Sequence, residues 1–412
     1  MTRTIGMFAS LACFAFLACG TEPDRRIVAP NVQGDQGDVV TTDYLVPHVS
    51  TAPANSGETV QLFVRERVRD DLGNGKPRTA VLMVQGLSVP VLPLVELSYR
   101  DYDWALWLAR SGGFDVFMFD FQGYGRSPRP KMDDPCNVPA SQQAIIPQIP
   151  SCPPSFPFQF ANVRSEWDEL NTVVDFIRSL RGVDKVALVG ASLGALRIGP
   201  YAVQHPDKVE SLLFYSPFYG PANPAGRAGT GADGFGPPID PRTGAPFTFP
   251  QPGTPMTLTT RSAFMDLWNL DIKCPGQLED GIQDIAWRAI MDNDAIGSTW
   301  DPPEGVMRVR TSFPWGWNPA TAGRISVPSL IIHGEFDASV PPTQSQLYND
   351  LAGIPGDRRL LFTVECAGHL MGWEKQRKVL HHVSAQWLRH GAVEEATSGK
   401  FFVDAEGVVH PR

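Results

Sequence analysis

Seven short apolar runs, at 59–65, 80–85, 115–119, 185–189, 209–215, 329–333 and 359–364, constrain this chain more than any other feature. Most are separated by stretches with helical periodicity. Runs of this length alternating with helices read as a mostly parallel central sheet covered by helices on both faces, an α/β class of fold. The clearest helix is expected over 164–180, where Trp167, Leu170, Val174 and Ile177 recur on one face. A last helix is expected over 373–390, with Val379, Val383 and Trp387 on one stripe. At 412 residues and 42% hydrophobic composition, the chain can bury a large core.

Two segments interrupt the alternation. Residues 128–160 are rich in proline and separate a strand from its following helix. Residues 220–325 begin as a Gly/Pro-rich stretch and continue with helix-like segments at 264–270 and 282–291. A connection of that length needs a role of its own, and it reads as a large inserted cap or lid. It contains Trp268, Trp287, Trp300, Trp315 and Trp317. These five form either an aromatic roof over an apolar substrate pocket or the cap's own small core. The expected organisation is therefore a core in two parts, 54–219 and 326–391, with the cap between them and a C-terminal tail at 392–412.

The N-terminus reads as an export signal over 1–18, with Arg3 followed by an apolar run too short for the roughly 20 residues of a membrane-spanning helix. It ends in Phe16-Leu17-Ala18-Cys19-Gly20, which resembles a bacterial lipobox and makes Cys19 the candidate for lipidation. The polar stretch 19–53 then reads as a tether between membrane and folded body, the alternatives being simple secretion or an uncleaved anchor. Beyond the signal, Cys136, Cys152, Cys274 and Cys366 allow three pairings. Cys136 and Cys152 lie close together in a proline-rich loop and form the preferred disulfide, leaving Cys274 with Cys366; free buried thiols are the alternative. A net charge of -9 offers no basic surface for nucleic acid, and no Cys/His spacing resembles a zinc site.

Chemistry enters at Gly190-Ala191-Ser192-Leu193-Gly194, set between the run 185–189 and a helical stretch at 195–204. A serine hydroxyl attacks only when it is exposed, aimed, and served by a base. A sharp strand-to-helix turn exposes it, small residues two before and two after let the backbone turn, and the helix start aims N–H groups at developing negative charge. On these residues the sequence resembles the α/β-hydrolase superfamily over about 60–391, apart from the cap. Asp120-Phe121-Gln122-Gly123-Tyr124-Gly125-Arg126-Ser127 is similar to a turn of that family and is read as structural.

The resemblance implies a nucleophile, acid and histidine in that chain order. Gly334-Glu335-Phe336-Asp337 is similar to the acid-bearing turn and places Asp337 as the acid, with Glu335 as its rival; Ala367-Gly368-His369 places His369 as the general base. An oxyanion needs two donors, for which the resemblance implies the backbone N–H of Leu193 and that of Leu87 in Gln85-Gly86-Leu87, with Ser88 in reserve. The family commonly has His where this chain has Gln85. A serine nucleophile resembles esterases, lipases, peptidases and acyltransferases rather than the branches that use Asp. The expected activity is hydrolysis of a carboxylic ester or related acyl bond in a small-molecule or lipid-like substrate, without cofactor or metal. Amide cleavage, acyl transfer, and a lipid-anchored binding protein without catalysis are the alternatives.

Overall fold

Ten strands form one sheet, and the way their ends line up decides where chemistry can occur. The computed structural model describes residues 38–72, 79–147, 151–220, 226–228, 235–238 and 245–412. The signal, Cys19 and the first part of the expected tether lie outside the described residues. The strands are β1 Val39–Val49, β2 Thr59–Arg69, β3 Ala80–Val84, β4 Asp115–Phe119, β5 Val186–Ala191, β6 Val209–Tyr215, β7 Ser329–Gly334, β8 Arg359–Val364, β9 Gly399–Val403 and β10 Val409–Pro411. Their order is β1-β2-β4-β3-β5-β6-β7-β8-β9-β10. From β4 to β9 every neighbouring pair is parallel; β2 joins β4, β1 joins β2, and β10 joins β9 in antiparallel fashion.

The central strands β3 and β4 are buried at every residue, as both-face coverage requires. On one face lie helices α1 (Val163–Arg181) and α2 (Gly194–Gln204), which contribute Trp167, Leu170, Val174, Ile177, Leu196 and Ile198 to the core. Asn162 caps α1, its side chain accepting from Ser165 N at 3.1 Å, and Gly182 ends the helix in the left-handed conformation. The other face is covered by the C-terminal helix Arg377–His390 and by the segment carrying Trp104 and Leu108.

Both ends of the folded body depart from the expected boundaries. The tether was expected to reach residue 53, but Val39–Val49 pairs with β2 along its whole length. This strand lies at the sheet edge, with Val46 and His48 buried and Leu45 and Val49 exposed, so its apolar signal is half that of a central strand. The expected tail likewise supplies β9 and β10, where Phe401 stacks on Phe362 of β8 at 5.1 Å between ring centroids.

In the stretch expected as a cap, the C-terminal residues belong with the body and not with the rest. Its described part pairs Met256–Thr260 with Val306–Arg310 in antiparallel fashion. Between them run α3 (Arg261–Asn269) and α4 (Ile282–Met291). Residues 311–325 belong to the body instead: Ser312–Phe313 pairs with Ala161–Asn162, and Trp315 and Trp317 sink into the core beneath α1 and α2. Trp268 and Trp287 join Phe264, Ile282 and Ile290 in a cap core, while Trp300 packs with Met132 and Val138 of the proline-rich segment. The five tryptophans are thus divided among three cores.

A disulfide, Cys136–Cys152, lies within that proline-rich segment, and the second bridge joins Cys274 to Cys366; the S–S distances are 1.99 and 2.08 Å. Both pairs are those expected from the sequence. The Gln142 amide both donates to and accepts from the backbone of Leu258, at 2.9 and 2.8 Å, bracing a cap strand against the body.

Candidate active site

Strand β5 ends at Ala191, and Ser192 turns the chain through a positive φ of 52° before α2 begins at Gly194. For a residue with a Cβ this conformation costs about 1–3 kcal/mol and is held only where its surroundings impose it. Here Ser192 N donates to Tyr215 O at 2.9 Å, and Ser192 O accepts from Phe218 N at 3.0 Å, so the strained backbone is tied on both sides to the neighbouring chain. Close approach explains two glycines. A Cβ on Gly190 would lie 2.8 Å from Ile198 Cδ1, and one on Gly86 would lie 2.9 Å from Ser192 Cβ.

Strands β7 and β8 deliver the partners from two loops on the same side of the sheet. His369 Nδ1 sits 2.9 and 3.0 Å from the two carboxylate oxygens of Asp337. The Asp337 side chain is nearly inaccessible, and its Oδ1 also accepts from Ser339 N at 3.1 Å. Its rival Glu335 is exposed. A carboxylate at Nδ1 makes that nitrogen the donor and leaves Nε2 with its lone pair. Burial disfavours the imidazolium, but the Asp337 charge and hydrogen bond outweigh it, with Asp271 and Glu374 adding to them, so the His369 pKa is raised above its ordinary value. His333 at the end of β7 instead bonds Thr363 Oγ1 at 3.0 Å, and burial holds its pKa down at about 4, in keeping with a packing role.

Ser192 and His369 line one cavity of about 350 Å³. Its walls are mostly apolar: Val89, Leu94 and Phe218 from the body face Phe264, Trp268 and Met307 from the cap. Of the five cap-region tryptophans, Trp268 is the one that faces this space. Leu87 and Leu267, also in the lining, remain 42% and 46% exposed, which places apolar groups at the cavity's solvent side.

The loop after β3 is held by its carbonyls. Arg197 Nη1 donates to Gln85 O at 2.6 Å and to Gly86 O at 2.8 Å, and Tyr124 Oη donates to Leu87 O. In a planar trans peptide the N–H points opposite the C=O. Anchoring Gly86 O on buried Arg197 therefore turns Leu87 N–H away from Arg197. The turn around Asp120 supports the same loop, because Asp120 accepts from Val91 N at 2.9 Å and from Arg126 N at 3.1 Å. Gln85 is buried but its amide finds no protein partner among the described residues.

Sequence reasoning missed the charges that hold these loops. Arg197 is paired with Glu166 of α1 at 2.9 Å, and Glu166 also receives Arg310 from the cap strand. A lone arginine in the otherwise apolar GALRIGPYAVQ helix was the available signal. On the base side, Glu374 Oε2 accepts from Gly368 N at 2.9 Å, and burial raises its pKa to about 7. Asp271, from the cap, bonds the backbone on both catalytic loops.

This arrangement, a strand-to-helix turn serine that shares one cavity with an Asp-bonded histidine beside a mostly parallel sheet, defines a class of fold and site. The family described as alpha/beta hydrolase fold matches residues 96–376, and the chain belongs to that family. Among individual proteins, it is 27% identical over 137 residues to the 1-acylglycerol-3-phosphate O-acyltransferase ABHD5 of Sus scrofa, a match spanning 32% of each chain. A carboxylesterase from Bacillus subtilis superposes with a TM-score of 0.45 at 14% identity, covering 86% of this chain and 93% of that one. A serine hydrolase from Cycloclasticus zankles superposes with a TM-score of 0.47 at 14% identity, covering 85% and 98%.

Proposed function

We propose that the protein is a serine hydrolase that cleaves carboxylic esters with an apolar acyl group through an acyl-enzyme on Ser192. The observation that carries this reading is that strained Ser192 and His369, the latter hydrogen-bonded to Asp337, line one mostly apolar cavity. His369 Nε2 takes the proton from Ser192 Oγ as the oxygen attacks the acyl carbon. Asp337 stabilises the imidazolium that results. The N–H groups of Leu193 and Leu87 receive the oxyanion, the first at the start of α2 and the second on the loop pinned by Arg197. Collapse of the intermediate expels the alcohol, which takes the proton from His369; water then repeats the sequence to release the acid.

Ser192→Ala should reduce kcat on p-nitrophenyl esters by about 10⁶-fold while leaving the fold intact, and should abolish covalent labelling by a fluorophosphonate. Undiminished turnover in that variant would reject the assignment. The partial similarity to an acyltransferase supports a second reading, acyl transfer on the same three residues. An added alcohol acceptor would then become acylated in preference to water. The two disulfides fit an oxidising compartment, and no helix among the described residues is long and apolar enough to cross a membrane. With the N-terminal sequence, the disulfides support export, and anchoring through lipid on Cys19 is the form we propose. Cys19→Ala should move the protein from the membrane fraction to the soluble one.

A further inference from the structure

Asp271 follows α3 in the cap, distant in sequence from the residues assigned to catalysis, yet it is completely buried and touches both partner-bearing loops. Its Oδ1 accepts from Ala338 N at 2.9 Å, one residue beyond Asp337. Its Oδ2 accepts from His369 N at 2.7 Å. One carboxylate therefore bridges the backbone of the acid turn and the backbone of the base turn. The approach is so close that a Cβ on Gly368 would fall 2.4 Å from Asp271 Cβ. The cap segment around it is fastened to the base loop by further links. Gln277 Nε2 donates to Asp271 O at 3.1 Å and to Glu374 Oε2 at 2.9 Å, and Cys274 is bonded covalently to Cys366.

A buried carboxylate is a costly way to satisfy two N–H groups that a neutral acceptor could serve. We propose that Asp271 is a positioning residue, contributed by the cap, that sets the spacing of the acid and base turns and supports the positive imidazole formed during proton transfer. The inference rests on reading Ser192, Asp337 and His369 as the triad. It goes beyond that reading by making the cap a part of the catalytic machinery and not only a wall of the pocket. Burial raises the pKa of Asp271 while the two N–H donors lower it. The acidic groups that act on His369 are Asp337 from the acid turn, Asp271 from the cap, and Glu374 beyond the base turn.

The test uses the full chain with p-nitrophenyl butyrate, comparing wild type, Ser192→Ala, Asp271→Asn and Asp271→Ala in kcat, KM, the pH profile of kcat/KM, and thermal unfolding. The expected result for Asp271→Asn is a kcat lower by about 10-fold or more. KM should change little, and the acid limb should move to lower pH, because a negative charge near the imidazole is lost. Asp271→Ala should lose more. A folded Asp271→Asn with kcat within about twofold of wild type and an unmoved acid limb would overturn the inference. So would an Asp271→Asn that loses activity only in proportion to lost folding, or that does not fold, since either assigns the residue to stability alone. If Ser192→Ala keeps wild-type activity, the triad reading itself fails, whatever the Asp271 variants do.

Discussion

The two sides of the cavity are held by opposite charges. On the nucleophile side, Arg197 and Arg310 share Glu166, and Arg197 spends its remaining donors on the carbonyls of Gln85 and Gly86. On the base side, Asp337, Asp271 and Glu374 gather around His369 and its loop, and among the described residues no arginine is a hydrogen-bond partner of theirs there. Acyl transfer through a serine creates a negative oxygen near the first group and a positive imidazole at the second. Under the proposed mechanism, charges fixed in this way on each side would lessen the reorientation needed during reaction. The cap takes part in both, through Arg310 on one side and Asp271 on the other.

Asp337→Asn strikes the anionic side hardest. It should lower kcat by about 10⁴-fold, because the carboxamide no longer favours the tautomer with a free Nε2. The same change should alter the pH profile. In the wild type, kcat/KM should rise with pH through a value above the ordinary imidazole 6.5, since the raised pKa of His369 keeps the base protonated to higher pH. Without Asp337 that limb should move down; a limb that stays in place would show that another group sets it.

Arg197→Met tests the cationic side. It leaves the buried Glu166 with Arg310 alone and should cost about 3–5 kcal/mol in urea unfolding. It should also lower kcat, as the Gly86–Leu87 peptide loses its anchor. Unchanged stability would mean that the pair is better described as replaceable packing.

The disulfides give the sharpest form of the comparison. They close 16-residue and 92-residue separations, so replacing each pair with serine should cost about 3 and about 4.6 kcal/mol of stability respectively. Only Cys274–Cys366 joins the cap to the base loop, and only its loss should lower kcat in the folded enzyme. Equal effects on kcat from both replacements would erase the distinction between the two regions.

The residues assigned to the chemistry were legible because each lies at the end of an apolar run whose local pattern announces it. Ser192 sits between a strand and a helix start, Asp337 follows β7, and His369 follows β8, all within a few residues of the strand that places them. The supporting charges have no such local marker. Asp271 meets the base loop across 98 residues and Arg197 meets Gly86 across 111, and nothing in the flanking sequence identifies either partner. The edge strand β1 was read as tether for a related reason. One half-buried face yields a weak apolar pattern, and its pairing with β2 supplies the order that its own composition does not.

By itself, then, the sequence determined the layered α/β body through short-range periodicity, favoured one pairing of its cysteines by their spacing, and through the family resemblance of three local motifs offered the three candidate side chains. Only the tertiary structure decided how the insertion divides among separate cores, which single tryptophan reaches the cavity, and which buried charges brace the loops around it. Those depend on contacts between distant segments, where the energy of burying a charge is recovered only if its partner has been brought to it.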